Sequence, residues 1–432
     1  MMFLEIQTNL NVPEKLDKIF INLKKQAISV SINTFTIYTF DLVGRLITAV
    51  SDGHTFHRSL DNQIMEKWSV SVNNQKKRVR RWLNLKKKRA FLESIHELFW
   101  KLYCLLQQNQ FVIMATDEKD VGKAKQNVLI AFKKILFFDY FQLEKDSQTF
   151  SSIYRSVGIL PPDMYLSILL QATEGCAYNK CSYCNFYKGQ LYQIKSESEF
   201  RQHIHAVKDY FGESIKLRKF LFLGEANALD ISQSTLLTFF DAINQQFIFF
   251  DSDVKSEVDS AWSALDGIYS FLTAFHKNQK SADDFSELRA KNLRRVYIGM
   301  ETGCDELLKF LNKPGKVENV LGLVQAIKMG GVNVGIIILL GAGGDKYYES
   351  HTNKTVQAIK EMKLGNGDII FFSPLIQFPG TQYEYKTKAN KIHHLTKEEI
   401  DNQRKKMIEG FGFKKDEKSP KMALYDINEF IY

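Results

Sequence analysis

Cysteine is scarce here, with five residues in a chain of 432. That is too few to staple so long a chain with disulfides, and three of the five fall within nine residues, Cys176 to Cys184. Such clustering points to a metal rather than to bridges. Long apolar runs are missing as well. Stretches such as Val334 to Gly341 and Ser167 to Leu170 stop far short of the roughly 20 residues that cross a bilayer, so they read as strands, and no membrane contact is expected. Met1 to Asn11 show no basic segment followed by an apolar one and a small-residue cleavage site. Secretion is not indicated, and a cytoplasmic location is expected. No Pro-rich or Gly/Ser-rich linker is visible, nor any repeat with a period of about 20–50 residues.

What is present is an ordinary folded composition, 44% hydrophobic and 25% charged. The length suits two units, since domains usually run about 100–250 residues. The net charge of +9 is concentrated in one run, Lys76 to Arg89, so it says little about the chain as a whole.

The first unit, 1–160, is expected to be a mainly helical accessory region containing a β-hairpin. Phe35, Ile37, Leu46, Ile47 and Val50 flank a turn at Asp41-Leu42-Val43-Gly44, and a second turn is expected at Asp52-Gly53. The basic run leads into Phe91 to Gln107, where apolar residues recur at helical spacing. Gly158 and Pro161-Pro162 then punctuate the chain. Beyond them strand-like runs alternate with helical ones: Met164 to Thr173, Lys219 to Leu223, Ile268 to Phe275, Arg295 to Met300, Val332 to Leu340 and Ile369 to Ile376. Six such β units separated by helices predict an α/β unit, 161–385, with a parallel sheet curled into a partial (βα)6-type barrel. The long stretch Ala228 to Asp266 reads as an insertion, and 386–432 as a C-terminal helical extension.

Directly after the first barrel strand comes Gly175-Cys176-Ala177-Tyr178-Asn179-Lys180-Cys181-Ser182-Tyr183-Cys184. Three thiolates in one loop leave a fourth ligand position empty. Soft sulfur ligands suit an iron–sulfur cluster, and a [4Fe–4S] cube held by three cysteines keeps one iron open to a small molecule. The loop also stands where parallel barrels carry their chemistry, at a strand's carboxyl end. A tetrahedral zinc is the alternative, because Cys-x2-Cys suits it too, but it usually has a second pair nearby. His203 and His205 are two apart on a predicted helix and point away from each other. Cys104 and Cys304 are isolated and read as packing residues.

These residues resemble the cluster loop of the radical S-adenosylmethionine (SAM) superfamily, including the aromatic Tyr183 before the last cysteine. Four residues, Ala177 to Lys180, separate the first two cysteines where the superfamily usually has three; a surface loop absorbs one residue cheaply. Later strand ends carry the resemblance on. Phe222-Leu223-Gly224-Glu225 is similar to the Gly-Gly-Glu motif that meets the SAM amino group, with Leu223 in place of the first glycine. Gly299-Met300-Glu301-Thr302-Gly303 is similar to the run whose glutamate binds the SAM ribose. Gly341-Ala342-Gly343-Gly344 stands where backbone approaches adenine, though a buried strand followed by a loop explains it equally. Phe378-Pro379-Gly380-Thr381 also matches. The resemblance implies a radical SAM barrel, a [4Fe–4S] cluster on Cys176, Cys181 and Cys184, and SAM contacts at Tyr183, Gly224, Glu225, Glu301 and Gly341. It further implies reductive cleavage of S-adenosyl-L-methionine to a 5′-deoxyadenosyl radical, with electrons from a donor such as flavodoxin or ferredoxin.

The substrate is not named by any residue; Ser270, Tyr297, Gln377 and Tyr383 are candidates only by their place on or after strands. There is no Asp-x-His-x-x-Gly signature for cobalamin and no second cysteine cluster, which argues against cobalamin-dependent methylation by this chain alone and against methylthiotransfer. Two further readings stay open. The basic run with Trp82 interleaved would suit RNA, although a solvated helix face is the preferred account of it. A non-catalytic zinc-binding interaction module is the other.

Overall fold

The structure is a computed structural model that describes residues 2–8, 18–33, 35–72, 75–116, 119–155, 157–250, 264–275, 278–414, 416 and 418–432. The first unit opens with eight strands: β1 (Met2–Thr8), β2 (Ile19–Leu23), β3 (Ile28–Ile32), β4 (Thr36–Phe40), β5 (Leu46–Ser51), β6 (His54–Arg58), β7 (Ile64–Val72) and β8 (Gln75–Trp82). Helix α1 (Leu85–Gln107), β9 (Phe111–Thr116), α2 (Val121–Phe137) and α3 (Tyr140–Ile153) follow. The strands form a nine-stranded antiparallel sheet in the order β8-β7-β6-β5-β4-β3-β2-β1-β9.

The expected hairpin is there, with Asp41 Oδ1 accepting the N–H groups of Val43, Gly44 and Arg45 in its turn. The region as a whole is not mainly helical, however. Its strands are short and alternate: Ile28, Val30 and Ile32 point inward while Ser29 and Ser31 point out, and so many polar positions dilute the apolar signal. The inward row packs on Leu92, Phe99 and Leu106 of α1 and Val128 and Phe132 of α2 to make a separate core. The basic run is also corrected, because Lys76 to Arg81 lie on strand β8 and only Lys86 to Arg89 on a helix.

The second unit holds β10 (Ser167–Gln171), β11 (Thr173–Glu174), β12 (Gln193–Ile194), α4 (Glu197–Phe211), β13 (Phe220–Gly224), α5 (Gln233–Gln246), β14 (Ile268–Phe271), α6 (Ala282–Ala290) and β15 (Leu293–Glu301). It continues with α7 (Asp305–Phe310), α8 (Val317–Met329), β16 (Asn333–Leu340), α9 (Gly344–Glu361), β17 (Ile369–Pro374), α10 (Gln382–Ala389), α11 (Lys397–Phe411) and β18 (Lys421–Leu424). All six predicted strands are present. They lie parallel and in sequence order, β10-β13-β14-β15-β16-β17, with β18 added at the end. The predicted insertion contains α5, and its acidic 251–263 stretch lies outside the described residues.

The sheet curls. Tyr297 on β15 meets Phe222 on β13 at 6.0 Å and Phe371 on β17 at 6.3 Å between ring centroids. Strands two apart in a flat sheet stand about 10 Å from each other, so these rings converge on a concave interior.

The C-terminal segment is not wholly helical either. Lys421–Leu424, Lys-Met-Ala-Leu, extend the sheet as an edge strand of four largely exposed residues, too short to give a strong signal. The chain then crosses from the last strand to the first as a strap. Tyr425 donates its hydroxyl hydrogen to Leu160 O at 2.7 Å, and Tyr432 Oη accepts the Leu169 N–H at 2.8 Å. Arg80 of β8 grips the strap through Asp426 at 2.7 Å and Glu429 at 3.5 Å.

A buried polar joint ties the two units together. Arg45, just before β5, donates to Asp146 of α3 at 2.9 Å and to Tyr210 O of α4 at 2.8 Å. Arg58 also reaches Asp146, at 3.3 Å, and Tyr210 donates its hydroxyl hydrogen to the same carboxylate at 3.1 Å.

Candidate cluster and cofactor site

The three-cysteine loop springs from the carboxyl end of β10, and its base is closed by the β11–β12 ladder. Gly175 opens it at φ +71°, and an added Cβ would lie 2.9 Å from Leu191 O. Asn179 adopts φ +44° within the four-residue spacer. Asparagine tolerates that left-handed conformation better than most residues. Its N–H faces Cys176 Sγ at 3.4 Å and its side-chain amide donates to Tyr187 O at 2.6 Å. The longer spacer is thus held by specific contacts.

The loop is pinned to the segment after α7. Ser182 donates both N–H and hydroxyl to Leu311 O, each at 2.9 Å; Tyr178 donates its hydroxyl hydrogen to Asn312 O at 2.9 Å; and Asn312 donates to Lys180 O at 2.6 Å. Burial pushes the Cys181 thiol up to about 12 against the pull of Lys313, with Cys184, Glu301 and Cys176 adding to the rise. Cys184 is raised too, chiefly by burial. Cys181 feels both other thiols and Cys184 feels Cys176, so the loop gathers all three.

Glu301 ends β15 at φ +62°, where the register with β16 slips between Gly299 and Glu301. Such a bulge re-aims a side chain. Here it turns a buried carboxylate onto the buried Lys313 ammonium at 2.5 Å. Gly299 makes room for the pair, since a Cβ there would stand 2.6 Å from Glu301 Oε1 and 3.0 Å from Lys313 Nζ. Burial lowers the pKa of Lys313, but Glu301 and the Cys181 and Cys184 thiols outweigh it, so the net shift is upward and the side chain stays a cation. Tyr183 stands in hydrogen-bonding contact with Glu301. Lys313 was missed as a site residue: a lysine before Pro314-Gly315 carries no sign in the sequence that it will be buried.

Below this charged rim lies a cavity of about 190 Å³. Cys184, Glu301 and Lys313 line one end, while Phe271, Tyr297, Ile337 and Tyr425 make its apolar wall. Tyr425 belongs to the strap and was not foreseen either.

The other expected contacts fall differently. Glu225 sits at the loop base, not on the cavity wall: it accepts from Gln171 at 2.6 Å and its N–H donates to Thr173 Oγ1 at 3.0 Å. Burial raises its carboxyl to about 7, against hydrogen bonds from Gln171 and the backbone of Gly175 and Gly158. Gly224 faces Leu169, whose Cδ1 would be 2.7 Å from an added Cβ. Gly341 turns toward α11, where its N–H donates to Gln403 at 2.9 Å, and it does not line this cavity. Ser270 donates to Leu223 O at 2.7 Å, Tyr297 to Asp163 at 2.8 Å, and the Tyr383 hydroxyl accepts from Gly343 N–H at 2.9 Å. Of these four substrate candidates only Tyr297 lines the cavity, and Gln377 is exposed. Cys304 is buried with Leu307 and Leu311, a packing residue as expected. His203 is buried and His205 exposed, so they diverge as their spacing requires.

No family model matches the chain. A tRNA-2-methylthio-N(6)-dimethylallyladenosine synthase of Endomicrobium trichonymphae is 24% identical over 263 residues, covering 59% of this chain and 52% of that protein. The matched part of this chain is thus similar to part of that enzyme. The chain spans about half the length of that curated relative. Among solved structures, coproporphyrinogen III oxidase of Escherichia coli, described as a radical SAM enzyme, is similar at 14% identity and TM-score 0.41, over 61% of this chain and 55% of its own. Methylornithine synthase is similar at 12% identity and TM-score 0.38, over 57% and 62%.

The three free cysteines of the loop fit the three-thiolate cluster that the resemblance implies. Among the described residues no three Cys, His, Asp or Glu side chains converge on one point as a single ion would need. A cube makes no such demand, because each thiolate meets a different iron. No helix among the described residues is long and apolar enough to cross a membrane.

Proposed function

We propose that Cys176, Cys181 and Cys184 hold a [4Fe–4S] cluster and that the chain cleaves S-adenosylmethionine reductively. The observation that carries this reading is the gathering of three thiols against the Glu301–Lys313 pair at the mouth of an apolar cavity. A cluster and SAM together supply one-electron cleavage of the sulfonium carbon–sulfur bond, giving a 5′-deoxyadenosyl radical.

The chain's own residues do the rest. Lys313 offsets the negative charge of the thiolates, of which Cys181 and Cys184 are pushed toward their neutral forms by burial. Loading iron therefore releases protons. Glu301, aimed by its bulge, offers oxygen atoms to a ribose diol, with Tyr183 and Lys313 fixing its orientation. By resemblance alone, Gly224 and Glu225 are assigned to the amino end of SAM and Gly341 to the adenine side, although none of the three lines the cavity. Phe271, Tyr297, Ile337 and Tyr425 exclude water and offer few loosely held polar hydrogens, as a radical reaction requires. Electrons would come from a small donor such as flavodoxin or ferredoxin, in a cytoplasmic setting.

The test is anaerobic reconstitution with iron and sulfide, chemical reduction and chromatography for 5′-deoxyadenosine made from added SAM. Product that depends on all three cysteines supports the assignment. One zinc and no iron in protein purified without oxygen would replace it with the zinc module.

A further inference from the structure

Fourteen residues, 76–89, contain nine basic and no acidic side chains, equal to the whole net charge of +9. The rest of the chain is balanced. Four of the nine are answered within the fold: Arg80 by Asp426 and Glu429, Arg81 by Glu66, Lys88 by Glu144 and Arg89 by Glu93. Lys76, Lys77, Arg78, Lys86 and Lys87 are exposed and have no ion-pair partner among the described residues. The first turn of α1 carries no acid, although a helix N-terminus favours negative charge and disfavours cations. Charge has therefore accumulated where it does not help the fold.

The strand orders part of this charge. Residues two apart share a face, so Lys76, Arg78, Arg80 and Trp82 form one row along β8. Opposite them on β7 stand Ser71, Ser69 and Lys67, in register with Lys76, Arg78 and Arg80. The row thus combines cations, hydroxyls and one exposed indole ring, Trp82 at 48% exposure. Trp68, on the other face, is already covered by His54 and Arg81. Trp82 is the ring left open for stacking.

We propose that this face of the N-terminal sheet, together with the adjoining first turn of α1, binds single-stranded RNA, with Lys76, Arg78, Lys86 and Lys87 on phosphates and Trp82 stacked on a base. An extended row of charge matches an extended polyanion, hydroxyls on Ser69 and Ser71 suit a 2′-hydroxyl, and an open sheet accepts splayed bases. A lipid surface would instead call for several apolar anchors beside the charge. The inference does not depend on the cluster. Its position does matter, because Arg80 in the same row holds the strap whose Tyr425 and Ile427 line the cavity.

The test is fluorescence anisotropy of the full chain with a labelled, unstructured uridine-rich 20-mer across a potassium chloride series. Neutralising four phosphates on a single strand predicts that affinity falls roughly fiftyfold between 50 and 200 mM salt. Lys76→Ala with Arg78→Ala should flatten that slope, and Trp82→Ala should weaken binding about five- to hundredfold without changing it. All three positions are exposed, so an unchanged thermal midpoint checks that the variants fold. No binding at 50 mM salt overturns the proposal, as does an unaltered slope in the double variant. Equal affinity for the matching DNA, or capture by anionic vesicles instead of RNA, overturns it as well.

Discussion

The two sheets of this molecule solve burial differently. Strands of the barrel are covered on both faces, so β16 reads Val-Gly-Ile-Ile-Ile-Leu-Leu with every one of these residues buried. The N-terminal sheet buries one face on its helices, and its other face, crossed by the C-terminal strap at Lys67 and Arg80, carries Ser29, Ser31, Ser69 and the basic row of β8. A closed interior suits radical chemistry, and an open polar face suits a partner. The difference also decides where a substitution is felt, since each unit has its own apolar core and they share the polar joint at Asp146.

The sharpest way to separate the units is Cys181→Ala. Two thiolates cannot hold the cube, so iron content and 5′-deoxyadenosine formation should both be lost, while far-UV circular dichroism stays unchanged; a variant that retains iron would break the assignment. Asp146→Ala attacks the joint instead. It leaves the guanidiniums of Arg45 and Arg58 without their shared carboxylate, and removing one partner of a buried pair costs about 3–5 kcal/mol. Urea unfolding should report a loss of that size. Glu301→Gln keeps the shape of the site and removes its charge, so calorimetric SAM affinity should weaken by about 1–3 kcal/mol; unchanged affinity would sink the ribose contact.

The smallest effect is confined to the barrel. Burial holds His203 down at about 3, helped by Lys195, and burial holds His351 down at about 4. Each folded pKa lies below the unfolded value of about 6.5, so below that pH the unfolded chain takes up protons that the folded one refuses. Their stabilising contribution is complete above pH 6.5 and is lost as the pH falls. From pH 7 to 5.5 each should remove about 1 kcal/mol, and His203→Gln should recover roughly half of the combined loss in a denaturation series.

The barrel was the legible half because a strand buried on both faces must be apolar throughout. All six of its predicted strands are present, with ends shifted by a few residues. The N-terminal strands escaped notice because alternation over five residues, with polar side chains such as Ser29, Ser31 and Thr39 at outward positions, resembles a loop. Lys421–Leu424 escaped for a related reason, since an exposed edge strand needs little apolar surface. Cys176, Cys181, Cys184 and Glu301 were singled out by spacing and by resemblance, and the structure brings them near one another. Lys313 and Tyr425 were not singled out, because nothing local distinguishes a buried lysine from an exposed one or a strap tyrosine from a tail.

By itself the sequence determined the chemistry of the candidate ligands, three thiols in one short loop, and the parallel order of the strands, because both follow from residues close together along the chain. Tertiary structure alone decided which groups meet. It set Lys313 against Glu301, turned Gly341 toward α11, drew Glu225 to the base of the loop and closed the barrel with its own C-terminal strap. These contacts join residues from separate elements, and their positions are fixed only when the strands curl and every buried charge must find a partner.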